Sequence, residues 1–214
     1  MDSAASAPGF VVKLGGSVDQ AGKAAGWLRV LWTNRQRQIA LVPGGGAFAD
    51  DVRRRQAVEG FDDSVAHRQA LRAMELSAAR FTSLGEGMGM TLTRAEDAAD
   101  FARAFARGQL PAWYPVRWAD GALDLERSWQ VTSDTLALWL ADRLRCGKVV
   151  LIKSVAPQPG VRTCAQAADA GWIDAGFERW RARTHCKVWL FGAGQEGALA
   201  AMLAGDPAEG ALVT

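Results

Sequence analysis

Phe10-Val-Val-Lys-Leu-Gly-Gly-Ser17 and Ile39-Ala-Leu-Val-Pro-Gly-Gly-Gly-Ala-Phe48 are apolar runs that each lead into consecutive glycines. The apolar residues predict two buried β-strands. Glycines directly after a strand leave backbone N–H groups accessible to an anion, and a helix that starts there adds the positive end of its dipole. Lys13 adds a full positive charge beside the first glycine pair. The two runs therefore predict a phosphate-binding site, although a tight turn without a ligand also explains the first pair taken alone.

The rest of the chain continues this alternation of strand and helix. Residues 149–155 form a strongly hydrophobic β run, and residues 187–191 form a further strand before Gly192 and Gly194. Helical stretches between the strands predict a sheet that is covered on both faces. We therefore predict an α/β fold, a three-layer αβα sandwich with a mostly parallel central sheet. The length of 214 residues and the hydrophobic content of 49% fit one domain over residues 1–214.

Composition limits the classes of partner. The formal net charge is +2, from 25 basic and 23 acidic residues, and the basic residues are scattered, so we expect no nucleic-acid partner. No run approaches the roughly 18 apolar residues of a membrane span, and the first residues lack the basic and apolar regions of a signal peptide. We expect a cytoplasmic homo-oligomer that acts on a small molecule. Three dispersed cysteines and two histidines predict no metal-ligating residues.

The chain was compared with two known nucleotide-binding motifs, the P-loop and the dinucleotide-binding glycine motif. No Gly-x-x-x-x-Gly-Lys-Ser/Thr loop occurs, and the lysine precedes the glycines here. Gly192, Gly194 and Gly197 match Gly-x-Gly-x-x-Gly after a strand. The sequence after them leaves no room for the ribose-binding acid that lies about 20 residues further on in dinucleotide folds. We interpret Gly192 and Gly194 as a glycine turn beside a nucleotide pocket.

Lys13 and Lys153 stand inside apolar strand runs. An unpaired buried ammonium costs free energy, so each lysine is expected to have an anionic partner. Phosphate oxygens and a carboxylate are suitable partners. Asp134 opens a predicted helix that runs to Arg145, and it is the best candidate to orient both lysines. An aspartate that only caps its helix explains the position equally well.

Several segments resemble, in order, those of the amino acid kinase superfamily. Residues 11–17 are similar to its first strand and phosphate loop, and residues 42–48 to its acceptor-side glycine loop. Thr-Ser-Asp-Thr-Leu-Ala, residues 132–137, resembles the segment whose aspartate organises the catalytic lysines. Residues 191–194 and 210–213 resemble its last glycine turn and its terminal strand. The resemblance covers nearly the whole chain.

The resemblance implies in-line transfer of the γ-phosphoryl group of ATP, as its Mg²⁺ complex, to a small acceptor. Positioning and positive charge stabilise such a transition state. The implied catalytic residues are Lys13, Asp134 and Lys153. The implied nucleotide-binding residues are Lys13, Gly15, Gly16, Ser17, Lys153, Gly192 and Gly194, and the implied acceptor-binding residues are Gly44, Gly45, Gly46, Asp50, His67, Thr132 and Ser133. Oxygen atoms of the nucleotide would supply most of the ligands of the magnesium ion.

The same resemblance divides the chain into an acceptor-binding half, residues 10–125, and a nucleotide-binding half, residues 126–214. His67 is a candidate ligand of an acceptor phosphate, with a purely structural histidine as the alternative. Asp50 is a candidate counter-charge for a cationic acceptor group, with a solvated acidic face as the alternative. An acceptor that is a phosphate monoester needs no general base, because its second pKa of about 6 leaves it mostly dianionic at pH 7.

Residues 66–75, 128–134 and 151–155 resemble the superfamily branch that phosphorylates aminomethylfuran phosphate in the biosynthesis of methanofuran, a one-carbon cofactor. The implied acceptor is the phosphate of aminomethylfuran-methanol phosphate, which becomes a diphosphate. The chain lacks the wider family's Thr-Asp-Val-Asp-Gly segment and its late Gly-Gly-Met loop with a lysine. We therefore expect Lys153 to take the place of the family's second catalytic lysine, which lies in that missing loop. The alternatives are a carboxylate or nucleotide kinase of the superfamily, or a degenerate kinase fold that binds an effector without catalysis.

Overall fold

The computed structural model describes residues 7–156, 163–206 and 210–213, and its middle layer is a seven-stranded sheet. The strands are β1 (Phe10–Leu14), β2 (Ile39–Pro43), β3 (Leu92–Ala95), β4 (Leu110–Trp113), β5 (Lys148–Ile152), β6 (Lys187–Phe191) and β7 (Ala211–Val213). Their order in the sheet is β3-β4-β2-β1-β5-β6-β7. Every neighbouring pair is parallel except β6 and β7, which are antiparallel. The predicted α/β sandwich with a mostly parallel sheet is confirmed.

Helices cover both faces of this sheet. They are α1 (Gly16–Gln20), α2 (Ala24–Thr33), α3 (Gly46–Glu59), α4 (Asp63–Glu86), α5 (Ala98–Ala106), α6 (Val116–Ala119), α7 (Ser133–Arg143), α8 (Cys164–Asp169), α9 (Phe177–Thr184) and α10 (Glu196–Ala204), with a 3₁₀ turn at Arg35–Arg37. Local chemistry sets some of these boundaries. The Asp62 side chain accepts a hydrogen bond from the Val65 N–H at 2.9 Å, which caps the start of α4.

The alternation of side chains along β1 separates two hydrophobic clusters, one on each face of the sheet. Val12 and Leu14 pack with residues of α2 and α10 on one face. Val11 packs on the other face with residues of α4 and α7. Because side chains in a strand alternate with a period of two, Lys13 projects toward the same face as Val11. Only 5% of Lys13 is exposed, so its charge is buried at the end of a central strand.

The carboxyl ends of three adjacent strands meet beside Lys13. Leu14 lies opposite Pro43 of β2 on one side and opposite Ile152 of β5 on the other. The chain adds strands on the β2 side first and then turns to the β5 side, so β1 marks the point where strand order reverses. Open α/β sheets bind ligands in the crevice at such a point. This topology brings both glycine tracts and Lys153 to one edge of the sheet.

The two glycine tracts pack directly against each other. A Cβ atom on Gly16 would overlap the Cα and N atoms of Gly46, and a Cβ on Gly44 would lie 2.6 Å from the Gly16 N. Gly46 also has a positive φ of 53°, which disfavours other residues. The glycine content of both tracts is therefore required by backbone contact between the tracts, in addition to any contact with a ligand.

The three cysteines lie in the interior of the fold, and the helices can be compared with the length of a membrane span. Cys146, Cys164 and Cys186 are buried free thiols. Within the ranges that the structure describes, no helix is both long enough and apolar enough to cross a membrane. Residues 1–6, where the sequence shows no signal-peptide pattern, lie outside those ranges.

We predict that Gly16→Ala destabilises the fold, because the added methyl group would meet the backbone of Gly46. Overpacking of this kind costs about 1–3 kcal/mol, and urea denaturation would measure the change in the free energy of unfolding. Gly121→Ala is the matched control, since no atom lies within 4 Å of the position that its methyl group would take. The control should stay within about 0.5 kcal/mol of the wild type. Equal stability of the two variants would show that the tracts do not pack as described.

Candidate active site

A buried cluster of three charged side chains lies at the carboxyl edge of the sheet. The Lys13 ammonium lies 2.8 Å from the Oδ1 atom of Asp134 as an ion pair. Lys153 donates a hydrogen bond from Nζ to the Oδ2 atom of Asp134 at 2.7 Å. The side chains of Lys13 and Asp134 are 7% and 8% exposed, and that of Lys153 is 16% exposed. The contact expected between Asp134 and both lysines is therefore present, and the cluster carries one net positive charge.

The electrostatics of the cluster keep its carboxylate ionised. Burial raises the pKa of Asp134, but the charges of Lys13 and Lys153 outweigh burial and lower that pKa to about 2. Burial and the charge of Lys13 lower the pKa of Lys153 to about 8, while Asp134 opposes the shift. At neutral pH the aspartate is negative and Lys153 is still mostly protonated. The uncompensated positive charge favours an anion next to the cluster.

Asp134 lies in the first turn of α7, and the start of this helix is held by hydrogen bonds to Asp174, which is distant in sequence. Thr132 precedes the helix, but its own side chain makes no capping hydrogen bond. Instead Asp174 accepts hydrogen bonds from the backbone N–H groups of Thr132 and Thr135, at 2.8 and 3.1 Å, and from both threonine hydroxyls. Asp174 thus acts as an N-cap from outside the helix. Burial, together with the nearby charge of Asp134, raises the pKa of Asp174.

A cavity of about 200 Å³ opens beside the cluster. Ten of its lining residues are among those expected from sequence: Lys13, Gly16, Ser17, Gly44, Gly45, Gly46, Asp50, His67, Thr132 and Ser133. The walls come from α3 and α4 on one side and from the segment before α7 on the other. Every acceptor-binding residue expected from the sequence therefore lies around this one cavity.

His67 and Asp50 differ in burial within the cavity. His67 is only 6% exposed, and its Nε2 atom has no hydrogen-bond partner among the residues that the structure describes. Burial lowers the pKa of His67, and the charge of Arg127 lowers it further, so the imidazole is neutral at pH 7. Asp50 is exposed on α3, where Gln20 donates a long hydrogen bond of 3.4 Å to it.

Four residues that were expected at the nucleotide do not line this cavity, namely Gly15, Lys153, Gly192 and Gly194. Gly15 follows β1 directly, and its N–H donates to the Ile152 carbonyl at 3.0 Å. Gly192 and Gly194 form the turn after β6, two strands away from β1. The backbone of Gly192 packs so closely on Val155 that a Cβ atom would overlap the Val155 carbonyl. The turn therefore lies beside the chain that follows Lys153 rather than beside the acceptor-side glycines.

Comparison with known proteins identifies the family. A sequence model described as the amino acid kinase family matches residues 9–165 of the chain. The chain belongs to the amino acid kinase family. The match includes both glycine tracts, Asp134 and Lys153, so the residues of the buried cluster all lie within the family region.

One protein of named activity and two solved structures are similar to this chain. The [5-(aminomethyl)furan-3-yl]methyl phosphate kinase of Methanocaldococcus jannaschii is 26% identical over 149 residues, which cover 68% of this chain. The chain spans 65% of the length of that relative. The UMP kinase structure from Ureaplasma parvum matches with a TM-score of 0.69 and 12% identity, covering 96% of this chain and 98% of its own. The uridylate kinase structure from Archaeoglobus fulgidus matches with a TM-score of 0.67 and 17% identity, covering 96% of this chain and 98% of its own. These two structures are similar in fold.

The described residues were compared with the ligand sets of metal centres. No group of three or more His, Cys, Asp or Glu residues with metal-binding geometry occurs within residues 7–156, 163–206 and 210–213. The described residues therefore fit a magnesium ion that arrives with its nucleotide better than one held by protein ligands.

Among the residues that line the cavity, sequence reasoning missed four with polar side-chain atoms. Arg53 and Trp129 line the cavity, as do Gln20 and Ser128. For Arg53 a signal existed, because it lies three residues after Asp50 and therefore shares its face of the helix. Trp129 adjoins the segment that resembles the family, although that resemblance gave it no role.

We predict that Asp174→Ala destabilises the start of α7, because two N–H groups and two hydroxyls lose their acceptor. The free energy of unfolding should fall by about 1–3 kcal/mol, as measured by urea denaturation. Asp174→Asn keeps one acceptor oxygen and should lose less. Asp169→Ala, at an exposed position at the end of α8, is the control and should change stability by less than about 0.5 kcal/mol. An unchanged Asp174→Ala protein would rule out the capping role.

Proposed function

We propose that the protein is an ATP-dependent kinase that transfers the γ-phosphoryl group to a small acceptor bound in the cavity beside Lys13. The observation that supports this proposal most directly is the buried cluster of Lys13, Asp134 and Lys153, where the carboxyl ends of β1, β2 and β5 meet. The ammonium groups of Lys13 and Lys153 lie 2.8 and 2.7 Å from the carboxylate oxygens of Asp134. Membership of the amino acid kinase family supports the same activity. A net positive, preorganised cluster suits a reaction whose transition state spreads negative charge over phosphoryl oxygens.

Each element of the site has a role in the proposed reaction. An acceptor oxygen attacks the γ-phosphorus, the bond from that phosphorus to the β,γ-bridging oxygen breaks, and ADP leaves with the bond electrons. Lys13 and Lys153 neutralise charge on the transferring group, and Asp134 holds the two ammonium groups in position. Backbone N–H groups of Gly16 and Gly45 donate to phosphoryl oxygens, whereas the N–H of Gly15 is already paired with the Ile152 carbonyl. A magnesium ion bound to ATP would neutralise part of the charge of its phosphates.

The acceptor we propose is the phosphate group of [5-(aminomethyl)furan-3-yl]methyl phosphate, with a diphosphate as the product, in a methanofuran-type pathway. Support comes from the name of the Methanocaldococcus jannaschii relative and from the sequence resemblance of residues 128–134 and 151–155. A dianionic phosphate attacks without a general base. Asp50 lines the cavity and supplies a negative charge for the aminomethyl group.

We also propose which half of the chain binds each substrate and how the chains associate. Residues 10–125 bind the acceptor and residues 126–214 bind the nucleotide, with Gly192 and Gly194 on the nucleotide side. We also propose a homo-oligomer, since Phe48 and Leu76 on neighbouring helices are 40% and 52% exposed. Sedimentation of the purified chain as a monomer would contradict this last assignment.

We predict that the purified protein with MgATP forms ADP with phosphate-bearing acceptors and that Lys13→Ala strongly reduces this turnover. Loss of a preorganised positive group costs about 10²- to 10³-fold in kcat. Coupled ADP assays would compare the furan phosphate with UMP, aspartate and acetylglutamate. Turnover with UMP or a carboxylate alone would assign a different kinase activity of the family, and no turnover with any acceptor would favour a binding protein.

Lys187→Ala is the matched control for Lys13→Ala. Lys187 is exposed at the opposite end of β6, so it lies at the other edge of the sheet. This variant should keep the activity of the wild type. Full activity of Lys13→Ala, with a folded state shown by circular dichroism, would contradict the mechanism.

We also predict that kcat/KM falls as the pH rises through about 8, because that is the pKa of Lys153 in the free protein. The protonated lysine is the active form, and kcat/KM reports groups of the free enzyme. Lys153→Arg should remove the fall, since a guanidinium stays charged throughout this range. A wild-type profile that stays flat from about pH 7 to about 9.5 would contradict the role of Lys153.

A further inference from the structure

One face of α3 lines the cavity with charged side chains. Gly46, Ala49, Asp50 and Arg53 all line the cavity, and their spacing of three, one and three residues places them on one face of a helix. The α3 helix has 14 residues, and its N-cap residue, Gly45, makes no side-chain capping hydrogen bond. The first N–H groups of α3 therefore have no acceptor in the side chain of the N-cap residue.

Arg53 differs from the two arginines that follow it. Arg54 lies 2.8 Å from Asp51, and Arg55 lies 2.9 Å from Glu59, so both charges are compensated on the helix itself. Within the part of the chain that the structure describes, Arg53 has no carboxylate at ion-pair distance. Its guanidinium instead lies over the ring of Trp129, 4.4 Å from the ring centroid. Arg53 is thus the cation on the acceptor side of the cavity that has an aromatic partner and no anionic one.

Trp129 is itself held in place, which orients the guanidinium. The indole Nε1 donates a hydrogen bond of 2.6 Å to the Oε1 atom of Gln56. Gln56 in turn donates a hydrogen bond of 2.8 Å to Asp63 at the start of α4. A guanidinium stacked on an aromatic face keeps its N–H groups free at the edge of its plane. Two of those N–H groups can donate hydrogen bonds to two oxygens of the same phosphate.

His67 supplies a second and independent sign of a ligand in the same cavity. Its side chain is more than nine-tenths buried, and its Nε2 atom has no hydrogen-bond partner among the described residues. A buried polar atom without a partner costs free energy, so it is usually satisfied by a ligand or by water. A neutral imidazole can donate a hydrogen bond to an anion without adding a buried charge.

We propose that Arg53, stacked on Trp129, anchors the phosphate monoester of the acceptor through paired N–H groups, with His67 as a neutral hydrogen-bond partner. The inference rests on the proposed kinase function and assigns the acceptor to the class of small phosphate monoesters. Arg53 is a binding residue, and Lys13 and Lys153 remain the groups that act on the transferring phosphoryl group. Acceptors without an anionic group would lose the contact with Arg53 and bind weakly.

The kinetic test compares Arg53→Gln with Arg54→Gln, which removes a neighbouring and ion-paired charge. With the acceptor that the ADP assay identifies, Arg53→Gln should raise the KM for the acceptor about 10-fold or more, since hydrogen bonds to charged groups are strong. Its KM for MgATP should stay within about twofold of the wild type, as binding of the donor does not involve Arg53. Arg54→Gln should match the wild type in both constants. An unchanged acceptor KM in Arg53→Gln, or an equal rise in Arg54→Gln, overturns the proposal.

A binding test separates this inference from the kinase activity. Inorganic phosphate is added to the protein while a non-hydrolysable ATP analogue fills the donor site, and the Tm is recorded. A ligand that binds only the folded state raises the Tm. Phosphate should raise the Tm of the wild type and of Arg54→Gln, and should raise that of Arg53→Gln much less, whether or not any acceptor is turned over. No shift in the wild type, or equal shifts in the two variants, overturns the proposal, while missing turnover alone contradicts only the kinase function.

Discussion

The structure depends on one buried carboxylate between two buried ammonium groups. Asp134 lies 2.8 Å from Lys13 on β1 and 2.7 Å from Lys153 after β5, so the cluster links a helix to two central strands. Removing charges from water costs several kcal/mol per ion, and even a good ion pair recovers this cost only in part. A third charge leaves the cluster net positive, which adds to the cost. Such an arrangement is poor for stability alone and well suited to an anion that completes it.

Regular secondary structure keeps two members of the cluster, Lys13 and Asp134, in position. Lys13 is the penultimate residue of a strand that is paired on both sides. Asp134 is in the first turn of α7, which Asp174 caps from a distant segment. The glycine tracts pack backbone against backbone, so no side chain separates the acceptor-side helix from the first strand. Preorganised groups of this kind need not rearrange when charge develops in a transition state.

The sequence predicted the residues whose roles follow from local pattern. Apolar runs gave the strands, and lysines inside apolar runs required an anionic partner, which is why the contact of Lys13 and Lys153 with Asp134 could be expected. The number of glycines was first attributed to a ligand, and the contact of Gly16 with Gly46 provides a second cause. Asp174 and Trp129 gave no local signal. Their roles arise from contacts with Thr135 and with Gln56, which are distant in the chain and adjacent only after folding.

The charges around the cavity divide the proposed reaction between two sets of residues. Lys13 and Lys153 share one carboxylate, so their positions are fixed before any substrate binds. Arg53 rests on an aromatic ring and has no carboxylate partner at ion-pair distance among the described residues, and in our proposal the anionic acceptor supplies its counter-charge. In our proposal, substitutions on α3 therefore change the binding of the acceptor without disturbing the buried cluster.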